Sequence, residues 1–222
     1  MPSPRETRAA LKVLTGEAVQ TAAELLGRLG GAPEQQRAAL LSTVPGLIDY
    51  YADGSAALAL DFYDEQRQMV GQTSVFTSEF VVNDRTVKIR RAVAWASAPL
   101  FTEDLDAAAA RLGEVVQLET ARPFRDTITA NRRRDPAAVG WRRVTAGGCG
   151  FCRMLADRGA VYKEATARFA AHTNCHCIAQ PVFGADDFGE EADALQYMAS
   201  RRSRTPEQRA VLREFIATHY PD

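Results

Sequence analysis

Histidine is the scarcest reactive residue in this 222-residue chain: there are three, His172, His176 and His219. None precedes the first cysteine, Cys149. A zinc deaminase needs an H-x-E ahead of its P-C-x-x-C, so that chemistry is excluded by order, and no HExxH of a metalloprotease occurs. A Ser-His-Asp or Cys-His hydrolase needs an imidazole free to act as base; two of the three histidines lie among cysteines, and no GxSxG is present. Charge of one sign is also missing, since 27 Lys and Arg against 28 Asp and Glu leave a net charge of -1. Whole-chain attraction to nucleic acid or membrane is thereby excluded, and electrostatic partners have to be sought locally. Long hydrophobic runs are absent as well. The longest uncharged stretch, Phe169 to Ala185, is broken by His172, Thr173, Asn174, His176, Gln180 and Pro181, and it falls short of the roughly 20 apolar residues of a bilayer span. The opening residues, MPSPRETRAALKVLTGEAVQ, interleave charges and lack the apolar core of a secretory signal. A protein made in the cytosol, with no membrane partner, is expected. There is no internal repeat and no low-complexity segment.

What is present reads first as helix. From Thr15 to about Gly71 apolar residues recur at helical spacing, with Val19, Ala22, Ala23, Leu26 and Leu29 on one face and a break expected at Pro45-Gly46. Between Thr73 and Ile89 the residues turn β-favouring around an Asn83-Asp84 turn signal, which predicts a hairpin or an extended connector. Thr102 followed by Glu103-Asp104 predicts a capped helix running to about Thr120. Pro123 and Pro136 then punctuate an arginine-rich passage that reads as a connection, with a boundary near Asp135 separating residues 1–135 from 136–222. The run Thr205-Pro206-Glu207-Gln208 announces a last helix, with Val211, Leu212, Phe215 and Ile216 as its apolar stripe.

The four cysteines are confined to one segment, Cys149-x2-Cys152-x19-His172-x2-Cys175-His176-Cys177. In a reducing compartment, clustered cysteines with a CxxC are more often metal ligands or redox groups than bridges, and the two-pair spacing is that of structural zinc sites. Zinc takes four ligands and six are offered. In an extended segment Cys175 and Cys177 point one way and His176 the other, so Cys149 and Cys152 are expected to be joined by two of His172, Cys175 and Cys177. The alternatives are a disulfide framework, a set of small buried hydrophobes, and a redox CxxC, the last disfavoured because no βαβ context precedes it. A thiolate-rich, fully coordinated zinc has no open position for water and is structural. The composite expectation is a mainly α, α+β chain: a helical amino-terminal region followed by a small zinc-stapled α+β module with short strands, and no catalytic constellation.

Between Ala121 and Val144 seven arginines, Arg122, Arg125, Arg132, Arg133, Arg134, Arg142 and Arg143, face only Asp126 and Asp135. They form the one candidate phosphate-binding or partner-binding surface. Phe124 and Trp141 within it read as stacking platforms or, more commonly, as core anchors beside a solvated face.

The order of VPGLIDYYADGSAALALDFYDEQR, RDPAAVGWRRV, CGFCRMLADRGAVY and FAAHTNCHCIAQPVF resembles the phage Mu protein F-like minor head proteins, in the shorter form of actinobacterial tailed phages. The likeness runs from about Pro45 to Phe183. It implies a minor capsid, head-morphogenesis component in the virion, near the portal or inside the shell and assembled in the host cytoplasm. The partners implied are the portal protein or the major capsid protein, with packaged duplex DNA as a further one. Members are often labelled capsid maturation proteases; Cys149, Cys152, His172, Cys175 and Cys177 look like the family's metal-type motif and not like a hydrolase site.

Overall fold

A computed structural model describes residues 3–145, 149–157, 169, 171–172, 174–184 and 205–221. The first helix, α1 (Pro4–Arg28), begins well before the expected Thr15 because Ser3 and Glu6 close a capping box: the Ser3 hydroxyl accepts from Glu6 N, and Glu6 accepts from Ser3 N. The second, α2 (Pro33–Met69), runs unbroken through Pro45, so the expected break is not there. Proline removes the amide that would bond the carbonyl four residues back. Here that carbonyl, Leu41 O, accepts instead from Arg90 Nη1 at 2.8 Å, while Val44 and Ile48 on either side bury in the core.

No hairpin forms over residues 73–89. Residues 72–85 are the extended connector, and Thr86–Ala96 is helix α3. A long helix takes the place of the missing second strand. Asn131 Oδ1 accepts from Glu79 N at 2.9 Å, Asn131 Nδ2 donates to Glu79 O at 2.7 Å, and Thr127 Oγ1 accepts from Val81 N at 2.9 Å. Asp84 Oδ1 accepts from Thr86 N, so the Asn83-Asp84 pair turns the chain into a helix and not back along itself.

After a short 3₁₀ segment, Ala98–Thr102, helix α4 spans Leu105–Arg134. Its cap is Asp104, whose side chain accepts from Ala107 N, and not Thr102; Glu103 between them sits at φ 57 and stops the preceding turn. Nor does α4 end at Thr120. It continues through Pro123, beside which Phe124 N donates to Ser55 Oγ of α2, and the passage read as a connection, Ala121 to Val144, is the second half of this helix followed by a strand. Ala121, Phe124, Thr127, Ile128 and Asn131 are all buried.

Two strands follow, β1 (Gly140–Val144) and β2 (Ile178–Val182), paired antiparallel with Trp141 opposite Pro181 and Arg143 opposite Ala179. Between them lies α5 (Gly150–Ala156), and α6 (Pro206–His219) closes the described chain. Leu212 of the expected stripe is buried with Met154 and Leu155, and Phe215 and Ile216 pack beside it; Val211 is exposed. The mainly α, α+β architecture with short strands is as the sequence implies.

Helix α4 is the axis: it packs against α1, α2, α3 and both strands. One apolar cluster joins α1, α2, α3 and α4 through Ala18, Leu26, Val44, Val93, Leu112 and Val116. A second joins Phe62, Tyr63, Phe124 and Ile128 to Trp141, Ile178 and Phe183, and so draws residues from both sides of Asp135. Among the described residues, no helix is long and apolar enough to cross a membrane.

Candidate metal centre

The cysteines are brought together by two tight turns. Cys149 caps α5 and Cys152 sits in its first turn, with Cys152 N donating to Cys149 O, so both thiols point to one side. The Gly between them is required by space. A Cβ on Gly150 would lie 2.8 Å from Ile216 Cγ2 and closer still to Tyr220 O, because α6 crosses there. Arg153 fastens the same crossing by donating to Tyr220 O and Pro221 O. On the other side, Cys175 N donates to His172 O, and Asn174 takes a left-handed φ of 59, a conformation asparagine tolerates.

His172 Nε2 lies 3.2 Å from Cys149 Sγ and 3.0 Å from Cys152 Sγ, and Cys152 Sγ lies 4.0 Å from Cys175 Sγ. Two groups result, Cys149/Cys152/His172 and Cys152/Cys175/Cys177, with ligand atoms inside each lying within 4.8 Å of one another. Cys152 belongs to both. Two thiolates on one tetrahedral zinc stand about 3.8 Å apart, and a thiolate and an imidazole about 3.5 Å, so the donor types and their separations fit a metal ion. All four cysteines are free thiols, with Cys149 exposed and the other three buried; none is bridged as a disulfide framework would require. His176 is half-buried and belongs to neither group; burial, with the charges of Lys12 and Arg8 contributing, holds its imidazole below the ordinary range.

The thiols divide their protons unequally. Hydrogen bonds from the Cys152 and Cys177 thiols, with the nearby Arg125 charge, pull Cys175 below the ordinary thiol range against the effect of burial. The same contact with Cys175, then Cys177 and burial, pushes Cys152 up.

Behind the sulfurs stands a layer that the spacing of the motif did not reveal. Gln117 Nε2 donates to Cys175 O at 3.0 Å, Arg125 Nη2 to the same carbonyl at 2.6 Å, and Arg125 Nε to Cys177 O at 3.1 Å. Helix α4 thus grips the Cys-His-Cys segment by its backbone.

The seven arginines do not share one face. Arg125 and Arg143 are buried against the cysteines. Arg122 pairs with Glu119, Arg142 Nε donates to Gln180 Oε1, and Arg132 donates to Val139 O. Arg134 reaches Glu79 at 2.8 Å and covers the Phe76 ring; Arg133 and Arg134 are the two exposed members. Phe124 and Trp141 are core residues. Asp186, Asp187, Glu190 and Glu191, the densest carboxylate set in the sequence and the one an enzymatic reading would draw on, lie outside the described residues.

A helical bundle that braces a sulfur-rich cluster able to hold a metal ion defines the class of protein. The family model described as VG15 protein matches residues 3–201, and the chain belongs to this family of phage gene products. No curated protein and no solved structure matches it.

Proposed function

We propose that the protein is a structural, non-enzymatic component of a phage head, a minor capsid protein of the Mu protein F-like kind. In this reading it works near the portal or inside the shell, and it touches the portal protein, the major capsid protein or packaged DNA. The amino-terminal bundle supplies the scaffold. The Cys/His cluster holds a structural zinc through Cys149 and Cys152 with two of His172, Cys175 and Cys177. Zinc would cross-link α5 to the segment entering β2, whose described residues meet around the cysteines in one small cluster. The single observation that supports this reading is a phage family spanning residues 3–201 in a chain whose four cysteines converge, with His172, on two ligand groups that share Cys152.

Composition, location and activity measurements test it. Purified protein is expected to carry one zinc per chain by elemental analysis, and mass spectrometry and a reconstruction of intact virions are expected to find the chain beside the portal or lining the inner shell. Incubation with unprocessed major capsid protein, and separately with duplex DNA, is expected to leave both intact. Cleavage of either one that survives contaminant controls replaces this reading with that of a maturation protease or a DNA-acting head enzyme.

A further inference from the structure

Arg125 and Arg143 are each only 3% exposed. Their guanidinium carbons stand 4.9 and 3.9 Å from the centre of one ring, Phe169, which Trp141 stacks against at 5.5 Å. Arg143 Nη1 lies 3.7 Å from Cys175 Sγ. The Arg125 side chain donates to the Cys175 and Cys177 carbonyls and faces the Phe169 ring, and the neighbouring Asp126 carboxylate also acts on it electrostatically. A buried guanidinium costs several kcal/mol unless an opposite charge accompanies it, and carbonyl dipoles meet only part of that cost. Sulfur supplies a negative charge within reach of both: Arg143 Nη1 faces Cys175 Sγ, and the charges of Cys175 and Cys177 act on Arg125. Cys175 and Cys177 adjoin the two cations, with Cys152 Sγ 4.0 Å from Cys175 Sγ, and three thiolates with an imidazole around a divalent ion leave a net negative complex, as four thiolates do more strongly.

We propose that Arg125 and Arg143 are the counter-cations of an anionic metal–thiolate centre, and that Arg125 is also a positioning residue that fixes Cys175 and Cys177 through their carbonyls. The inference rests on the metal reading above and adds to it the sign of the occupied site's charge and the residues that balance it. Partners in this outer layer typically change metal affinity by about 10–100-fold. They need not change the stability of the metal-free chain to the same degree.

The test compares wild type with Arg125→Met, Arg143→Met and Arg125→Lys. Zinc affinity is read by chelator competition, and the sulfur-to-metal charge-transfer band by cobalt substitution. Stability is read by urea denaturation with zinc and with chelator. Each methionine variant is expected to bind zinc about 10–100-fold more weakly and to lose more stability with zinc than with chelator. Arg125→Lys, which keeps the charge without the two-carbonyl fork, is expected to fall between. Methionine variants that bind zinc as tightly as wild type, with equal stability losses in both media, overturn the proposal and leave the arginines as packing. A wild-type chain that binds neither zinc nor cobalt overturns the metal reading together with this one. Should Arg125→Met fail to fold, Arg143→Met decides the outcome by the same measurements.

Discussion

Replacing Asp135 by alanine removes the carboxylate that ties α2 to the end of α4, and the structure sets how much that should cost. The Asp135 side chain is 0% exposed, and Oδ2 accepts from Arg67 Nε at 2.9 Å and from the Tyr63 hydroxyl at 3.2 Å. Its other oxygen, Oδ1, accepts from Ala137 N at 3.0 Å. Burial, then the Asp135 charge, pushes the Tyr63 hydroxyl up, so it stays a donor. Removing one partner of a buried ion pair costs about 3–5 kcal/mol, because the other charge is left behind. Arg67 keeps Ser74 Oγ at 2.7 Å and the Phe76 ring at 5.5 Å, which places the expected loss near the middle, about 4 kcal/mol. For a chain of this size that is roughly 8–16 °C in Tm. The assay is urea denaturation followed in parallel by far-ultraviolet circular dichroism and by tryptophan fluorescence, since Trp141 is buried in the cluster that spans both sides of Asp135. Replacing the pair together, Arg67→Met with Asp135→Leu, should recover at least about 2 kcal/mol of the loss, since an apolar substitute carries no stranded charge. The reasoning fails if Asp135→Ala stays within about 1 kcal/mol of wild type, or if the double variant is no more stable than the single one.

Three further outcomes are expected. Cys152→Ser, which breaks both ligand groups, should abolish stoichiometric zinc in elemental analysis, whereas Cys149→Ser, at the exposed edge, should retain zinc with weakened affinity; full zinc in Cys152→Ser contradicts the assignment. Burial acts to raise Glu119, but the Arg85 hydrogen bond and the charges of Arg122, Arg85 and Lys88 prevail and hold its carboxyl below the ordinary 4.5. A folded-state pKa that is depressed contributes stability above the unfolded value and loses it as pH falls through the folded one. Glu119→Gln should therefore be less stable than wild type at pH 7, with the difference shrinking below pH 4.5; parallel urea midpoints across that range would refute it. Arg90→Ala should cost about 0.5–1.5 kcal/mol by leaving Leu41 O without its donor, and less in a Pro45→Ala background, where the alanine amide takes that carbonyl. A double-mutant cycle showing no coupling would count against the capping role.

By itself the sequence determined what depends on near neighbours. Helical periodicity placed the bundle, the Thr205-Pro206 signal placed the last helix, and the Cys149, Cys152, His172, Cys175 and Cys177 spacing singled out the side chains that converge. Spacing is legible there because a CxxC turn and an H-x-x-C turn each set two donors close together locally, although Gln117 and Arg125 of α4 hold the second turn in place. What only the tertiary structure decided was the fate of residues whose local signal was outweighed by distant partners. Pro45 and Pro123 read as stops, yet Arg90 and Ser55 supply hydrogen bonds beside them and the helices run on. Residues 73–89 read equally as a hairpin or an extended connector, and the connector forms because Asn131 and Thr127 of α4 offer the hydrogen bonds that a second strand would have offered. Arg125 and Arg143 read as part of a solvated basic surface, yet they lie under Phe169 beside the cysteines. Periodicity records which residues avoid water along one element, while the burial of a charge or a missing amide depends on a partner far along the chain, which only the folded packing brings within reach.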